Sequence, residues 1–571
     1  MKKLIVFINI LFISCGSVAQ VEQKQKNILF IAVDDLKPLI NAYGENQMIT
    51  PNFDRLIKSG VMFENAEVQQ AVCGPSRASV MTGTYPDRTK VWDLHTDFRE
   101  SSPTLISMPE YLISQGYTTT AVGKIYHKGS TAPGHDGKSW SIPHTLPENF
   151  DPKYGTPSFS YYQDPATKVE HKRLMEEAEA DGKKPGQQRN YAFKKLKPST
   201  ECVDVSDEAY QDGIYTQKAI QLLNKLSKDN KPFFLGVGFQ KPHLPFVAPK
   251  KYWDLYKRED IKIAANQKLI DGTPEIAYHT FGELKAFTDI DKETTLGKPL
   301  SEAKQKELIH GYMACISYVD AQLGKLLDEL DRLNLTENTV IVLWGDHGYH
   351  LGDHTLWNKH SNFEQATRIP FIFSGPGVAK GKKVATPVEL IDLFPTVFEL
   401  ANVKQSNQTD GKSLVPLLDN NPKTNLKVDF ALSQYPRKNG KVMGYTIRTE
   451  RYRYTEWHGN NYCAATPYDA ANIEAVELYD FKNDPLETKN HANDKDKEQI
   501  VKDLQTKLKA KINTIYERNK LTPAVPYTKK AKEGGDEEGV GAEKKDSNSN
   551  KTEGKNNTNS DKKKNKKNTL E

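Results

Sequence analysis

Four short runs in this chain are apolar or β-branched at nearly every position, and each stops abruptly at charged residues. Run 27–33 ends at Asp34-Asp35, 118–122 at Gly123-Lys124, 233–239 just before Lys241-Pro242-His243, and 340–344 just before Asp346-His347. A strand exposed on one face alternates apolar and polar residues, whereas a strand covered on both faces reads as a continuous apolar run. These runs therefore predict central strands of a mostly parallel sheet with helices on both sides. Apolar residues three and four apart at 208–226 and 304–333 predict two of the covering helices. In open α/β sheets ligands bind beyond the carboxyl ends of the strands, so four polar strand ends point to one functional rim.

The segment 129–200 is rich in Pro, Gly, Lys and Glu with weak periodicity, which predicts a loop-dominated insertion over the sheet edge. The pattern loosens near 404–425 and resumes from Val428 in short strand-like pieces, including 443–448 and 451–457, before a helix near 495–518. This reading gives a large α/β domain over residues 26–425 carrying the rim, and a smaller α+β subdomain over 426–526. No internal repeat is found. With 571 residues, 37% apolar and 27% charged, the chain can bury a large core; length alone suits about three or four average domains, or one oversized domain with a small companion.

The two ends differ from this body. Met1-Lys2-Lys3, an apolar run over 4–13 and then small residues follow the order of a secretory signal, taken as residues 1–20, and the run is too short to span a membrane. Two processing outcomes fit: lipidation of Cys15 in a loose lipobox, or cleavage after Ser17-Val18-Ala19. Export to the periplasm or the medium is expected either way, with a membrane reached only through the lipid. Residues 527–571 are Lys-rich and polar, too poor in apolar groups to offset ordering entropy, and are read as a disordered tail. From Thr528 on, the tail holds 12 Lys and 9 acidic residues, so it carries +3 of the chain's net +5. The remainder is nearly balanced, which gives no case for a nucleic-acid partner.

Apart from Cys15 and Cys73, the remaining cysteines are Cys202, Cys315 and Cys463, so this is no disulfide scaffold and at most one bridge can form among the three. Cys73 stands apart. It opens a predicted helix in Cys73-Gly74-Pro75-Ser76-Arg77, continued to Thr82-Gly83, where free backbone N–H groups and the helix dipole favour an anion. Asp34-Asp35 alone would commonly start a loop or cap a helix. Paired with Asp346-His347 after a second buried strand, it becomes a metal site; three carboxylates suit a hard cation, Ca²⁺ or Mg²⁺, with Zn²⁺ the alternative.

The Cys-x-Pro-Ser-Arg motif with Thr-Gly following resembles that of the type I sulfatases. The segments Phe233-Phe234-Leu235, Ser361-Asn362-Phe363, Ser433-Gln434-Tyr435-Pro436-Arg437, Met443-Gly444-Tyr445, Ile447-Arg448-Thr449 and Glu477-Leu478-Tyr479 are similar to iduronate-2-sulfatase-like members of that family. The likeness covers roughly residues 26–515 and not the Lys-rich tail. It implies an alkaline-phosphatase-like α/β fold, with a large mixed, mostly parallel sheet flanked by helices and a smaller C-terminal α+β subdomain. It also implies conversion of Cys73 to formylglycine by a formylglycine-generating or anaerobic sulfatase-maturating enzyme, with Ca²⁺ held by Asp34, Asp35, residue 73, Asp346 and His347.

Arg77, Lys124, His127, His243 and Lys359 match sulfate-handling positions of the family. The resemblance implies that Lys124 and Lys359 bind sulfate, His243 protonates the leaving oxygen, His127 deprotonates the second hydroxyl of the hydrate, and Arg77 positions the hydrate. His95, His350, His354 and His360 are set outside the catalytic group. The implied substrate is a sulfated oligosaccharide or polysaccharide, either a 2-O-sulfated uronate of a glycosaminoglycan or a sugar of an ulvan-type polymer. Two other functions fit parts of the pattern: a phosphonate or phosphate ester hydrolase of the same fold, and a non-catalytic glycan-binding protein.

Overall fold

The computed structural model describes residues 24–127, 136–145, 162–420, 426–461, 463 and 466–520. Residues 1–20, read above as a signal sequence and including Cys15, and the Lys-rich tail lie outside the described residues.

The main sheet has eight strands: β1 (Asn27–Val33), β2 (Gly60–Glu67), β3 (Thr118–Gly123), β4 (Phe233–Phe239), β5 (Thr339–Gly345), β6 (Arg368–Ser374), β7 (Lys382–Val384) and β8 (Val388–Glu389). Their order is β7-β2-β6-β5-β1-β4-β3, with β8 also on β2. β1 runs parallel to β4 and β5, and β3 parallel to β4; β6 alone is antiparallel to its neighbours. All seven residues of β1, β4 and β5 are buried, as their continuous apolar runs predict.

Alternate residues of β1 belong to two cores. Leu29, Ile31 and Val33 pack with α1 (Pro51–Lys58), α6 (Gln211–Leu226) and α7 (Glu302–Arg332). Ile28, Phe30 and Ala32 pack on the opposite face with α2 (Cys73–Thr82), α3 (Met108–Ser114) and α8 (Leu393–Leu400). The result is a three-layer α/β/α domain, and the helices expected at 208–226 and 304–333 cover the sheet as α6 and α7.

The expectation of a loop-dominated stretch over 129–200 needs correction. Its described part contains a helical hairpin, α4 (Pro165–Ala180) and α5 (Pro185–Lys195). Asp164 caps α4 by accepting from the N–H groups of Ala166 and Thr167, and Pro165 takes the first helical position. Only His171, Leu174 and Ala178 of α4 are buried. So thin a stripe leaves the Lys- and Glu-rich face to dominate composition and hides the helical period.

The second sheet is antiparallel, with β9 (Ala431–Arg437), β10 (Val442–Arg448), β11 (Tyr452–His458) and β12 (Ile473–Asp480) in sequence order. Helix α9 (Glu498–Asn519) lays Leu504, Leu508, Ile512 and Ile515 on Tyr445, Ile447, Tyr454 and Leu478. This sheet is joined to the main domain beside Cys73: Gln434 N–H donates to Gln69 O at 2.7 Å, and Ser433 Oγ to Val68 O at 2.6 Å. Cys73, Cys202, Cys315 and Cys463 are all free thiols. Among the described residues no helix is long and apolar enough to cross a membrane.

Candidate active site

Strand register brings the acidic residues to one level. Val33 pairs with Phe239 on one side and Gly345 on the other, and Gly123 pairs with Gly238, so Asp34, Lys124 and Asp346 leave the sheet together. Asp35 follows with φ 56°, a left-handed conformation uncommon for a residue with a side chain, and its N–H donates to Asp346 Oδ1 at 3.0 Å. Arg77 lies one turn into α2 and is fully buried. Its Nε donates to Asp346 Oδ2 at 2.8 Å and its Nη2 to Asp34 Oδ1 at 3.1 Å. Its Nη1 donates to the carbonyls of Lys124 and Ile125. One guanidinium thus ties three strand ends to the helix that carries Cys73.

Cys73 is the first residue of α2, and its Sγ lies 3.2 Å from His347 Nε2 and 3.6 Å from Lys124 Nζ. Burial, and then the Asp34 charge, push its thiol well above the ordinary cysteine range. This is the reverse of the low-pKa thiolate that a cysteine nucleophile needs. Lys124 Nζ sits 2.6 Å from Asp34 Oδ2. Although burial opposes ionisation, the Lys124 and Arg77 charges hold the Asp34 carboxyl well below its usual range. Burial and the Lys124 charge drive His127 well down, keeping its imidazole neutral.

Ligand atoms of Asp34, Asp35, Cys73 and His347 all lie within 4.8 Å of one another, and all four residues are buried. The donor set fits a divalent cation: carboxylate oxygens and an imidazole converge where uncompensated burial of the acids would be costly. Asp346 is not in that group; its carboxylate is occupied by Arg77 Nε and Asp35 N–H, with Oδ1 3.6 Å from His347 Nε2.

The opposite wall carries His243 and Lys359. His243 follows β4 between two cis prolyl bonds, with Nδ1 2.7 Å from Leu244 O. Lys359 lies between Asn358 at φ 71° and His360 at φ 43°, and its Nζ is 3.2 Å from each Asp35 oxygen and 3.5 Å from His243 Nε2. A buried cage that gathers a helix N-terminus, two lysines and two imidazoles around clustered carboxylates can bind a small tetrahedral oxyanion ester and move protons beside it.

A family model described as Sulfatase matches residues 26–403, and one described as N-sulphoglucosamine sulphohydrolase, C-terminal, matches residues 352–514. The chain belongs to the sulfatase family. It is a sulfuric ester hydrolase. Human iduronate 2-sulfatase is 32% identical over 532 residues, covering 82% of this chain and 91% of the relative. Two solved structures share the fold at a TM-score of 0.64. One is BT4656 in complex with its substrate D-glucosamine-2-N,6-O-disulfate, at 22% identity over 87% of this sulfatase and 99% of that chain. The other is a phosphonate monoester hydrolase from Silicibacter pomeroyi, at 20% identity over 85% and 94%. The architecture of the sulfatase is therefore alkaline-phosphatase-like, a large mixed sheet flanked by helices.

Every site residue chosen from the sequence falls on this one rim. Of the four histidines set aside, His95 is exposed; His350 is buried against Ser361 Oγ at 2.9 Å and His354 against Asn266 Nδ2 at 3.2 Å. His360 does reach the wall, with Nδ1 2.9 Å from Tyr435 Oη and Nε2 3.6 Å from Glu283. Glu283 itself escaped the sequence reading. It stands in a short helical turn after Phe281, with no motif around it, and only the fold brings it to Lys359 and His243.

Proposed function

We propose that this sulfatase is exported and removes sulfate from a sulfated sugar, with residue 73 acting as formylglycine. The observation that carries the reading is Cys73 itself: buried at a helix N-terminus against Lys124 and His347, with its thiol held away from ionisation. The hydrated aldehyde supplies one hydroxyl to attack sulfur and a second whose deprotonation expels sulfate. Asp34, Asp35, residue 73 and His347 would hold Ca²⁺, with Asp346 beside them completing the acidic set, and the bound ion would supply positive charge to the sulfate oxygens.

Lys124 adds its ammonium on the same side, 3.6 Å from the residue-73 sulfur position. Arg77 keeps the acid cage in register, since four of its five N–H donors go to Asp34, Asp346 and two carbonyls. His243 protonates the leaving sugar oxygen, because an alkoxide is too basic to depart unassisted near neutral pH. Lys359 beside it holds sulfate. His127, kept neutral, accepts the proton of the second hydroxyl.

The likeness to human iduronate 2-sulfatase favours a 2-O-sulfated uronate, with ulvan-type oligosaccharides as the other class to try. The N-terminal signal pattern supports the periplasm or the medium as the working compartment, with a lipid on Cys15 as one form of attachment. The test is sulfate release by protein co-produced with a formylglycine-generating enzyme, with Ca²⁺, on glycosaminoglycan and ulvan oligosaccharides. Release from one class names the substrate. Silence across the panel, with the aldehyde verified at residue 73 by mass spectrometry, sinks the reading.

The fold shared with a phosphonate monoester hydrolase prompts a second reading, in which this sulfatase also turns over a phosphonate or phosphate ester. A higher kcat/KM on an aryl phosphonate than on the matched aryl sulfate would favour it.

A further inference from the structure

We propose that Glu283 is a positioning residue for departure of the leaving group, orienting His243 and Lys359 toward the oxygen that leaves sulfur. This rests on the reading of His243 as the acid that protonates that oxygen. Glu283 is only 6% exposed, and a carboxylate so deep is retained when charged or hydrogen-bonded partners surround it. Its partners are the groups the reaction needs: Lys359 Nζ at 3.0 Å and His243 Nε2 at 3.2 Å, with His360 Nε2 behind at 3.6 Å.

The backbone supports the same assignment. Leu284 N–H donates to Asn358 Oδ1 at 3.3 Å, so the turn bearing Glu283 is fastened to the residue before Lys359. Phe281 N–H donates to His279 Nδ1 at 2.9 Å, and Phe281 takes φ 40°, which starts the turn in the direction that points Glu283 inward. From behind, Tyr435 Oη on His360 Nδ1 at 2.9 Å fixes the ring that abuts the Glu283 carboxylate. The carboxylate therefore has little freedom to follow its partners; they must come to it.

Hydrogen-bond chemistry then sets the His243 ring. Leu244 O at Nδ1 and the Glu283 carboxylate at Nε2 can only accept, so the bond to Glu283 orients an Nε2–H, the hydrogen an acid must give, with Lys359 Nζ 3.5 Å from the same nitrogen. As the S–O bond breaks, its electron pair goes to the leaving oxygen. The Nε2 proton moves from its bond with Glu283 to that oxygen, His243 is left neutral, and Lys359 keeps the carboxylate paired. A glutamine would present an NH₂ to one of the two cations, and an aspartate would fall short by one methylene while keeping the charge.

The experiment uses the full, formylglycine-bearing chain with Ca²⁺ and a series of phenyl sulfates from 4-nitrophenyl to unsubstituted phenyl. The nitrophenolate leaves without a proton; the phenolate needs one more. For Glu283→Gln, kcat on phenyl sulfate is expected to fall about 10- to 100-fold, a part of what general acid catalysis contributes, with much less change on 4-nitrophenyl sulfate. Glu283→Asp should recover part of that selective loss, and His243→Ala should show the full selectivity. Equal losses on all esters for both Glu283 variants, with His243→Ala still selective, would overturn the proposal alone. A flat response for His243→Ala would overturn the acid reading and the proposal with it. Should Glu283→Gln not fold, Glu283→Asp decides: selective loss supports the role and uniform loss removes it.

Discussion

A thiol at position 73 and a hydrated aldehyde there differ in one chemical respect that decides turnover. The diol has a second hydroxyl that can expel sulfate; a thiol or a single hydroxyl has none. Lys124 and His347 face either side chain alike, so binding should survive where turnover does not. Cys73→Ser is therefore expected to bind sulfated sugar and either accumulate a sulfate ester on the serine or do nothing, with fewer than about one turnover per site. Intact-mass measurement after incubation with substrate reads the adduct. Sustained multiple turnover by this variant would remove the formylglycine mechanism. Arg77 teaches a complementary lesson: the motif marks it as a site residue, and its contacts run to Asp34, Asp346 and strand-end carbonyls, which supports the proposal that it holds the cage.

At the scale of elements, strand ends aim the chemistry, and close backbone approach keeps them aligned. Gly238, next to last in β4, lies against the backbone of Lys124, and a Cβ there would run into the Lys124 carbonyl. Gly238→Ala is expected to push Lys124 away from Asp34 and Cys73, destabilising the fold by on the order of 1–3 kcal/mol and lowering kcat. Thermal unfolding and kinetics on the same preparation check this; an unchanged Tm with full activity would show that the sheet edge yields freely. The rim itself was legible in the sequence, because a strand buried on both faces leaves a continuous apolar run and its first polar residues mark the exit from the sheet. The helices α4 and α5 were not, since a solvent-facing hairpin with a thin buried stripe has the composition of a loop. Glu283 was illegible for another reason: a four-residue turn has no period to read, and its partners are 40 and 76 positions away in the chain.

For the whole molecule, the junction between the two sheets is a buried charge cluster whose protonation couples stability to pH. Arg453 of β11, fully buried, reaches Glu487 at 3.0 Å and Glu67 at the end of β2 at 3.6 Å, and it also bonds Glu364. Arg448 adds a contact to Glu364 at 2.9 Å. Arg453 Nη1 also donates to Asn362 O at 2.7 Å, so the same cluster braces the loop that carries Lys359. Three carboxylates face three guanidinium groups, Arg368 Nε standing 3.9 Å from Glu364, and the carboxylates do not ionise alike. Burial raises Glu364, but the Arg448, Arg453 and Arg368 charges with the Arg448 hydrogen bond together outweigh it and hold the carboxyl at about 2. Burial, with Arg453 opposing and Glu364 reinforcing, pushes Glu487 up to about 8, and burial with the Glu364 charge pushes Glu67 to about 6. A carboxyl whose folded value is raised binds protons more tightly folded than unfolded, so the unfolded chain holds fewer protons through this window. Its contribution to stability is complete below the ordinary glutamate range and is lost as pH rises toward about 8 for Glu487. Glu487→Gln mimics the protonated form at every pH. Its Tm should match wild type near pH 5 and exceed it by a few degrees near pH 8, the gap opening steadily between. Parallel Tm curves for the two proteins would mean that Glu487 stays ionised in the folded state and that the junction tolerates all three charges.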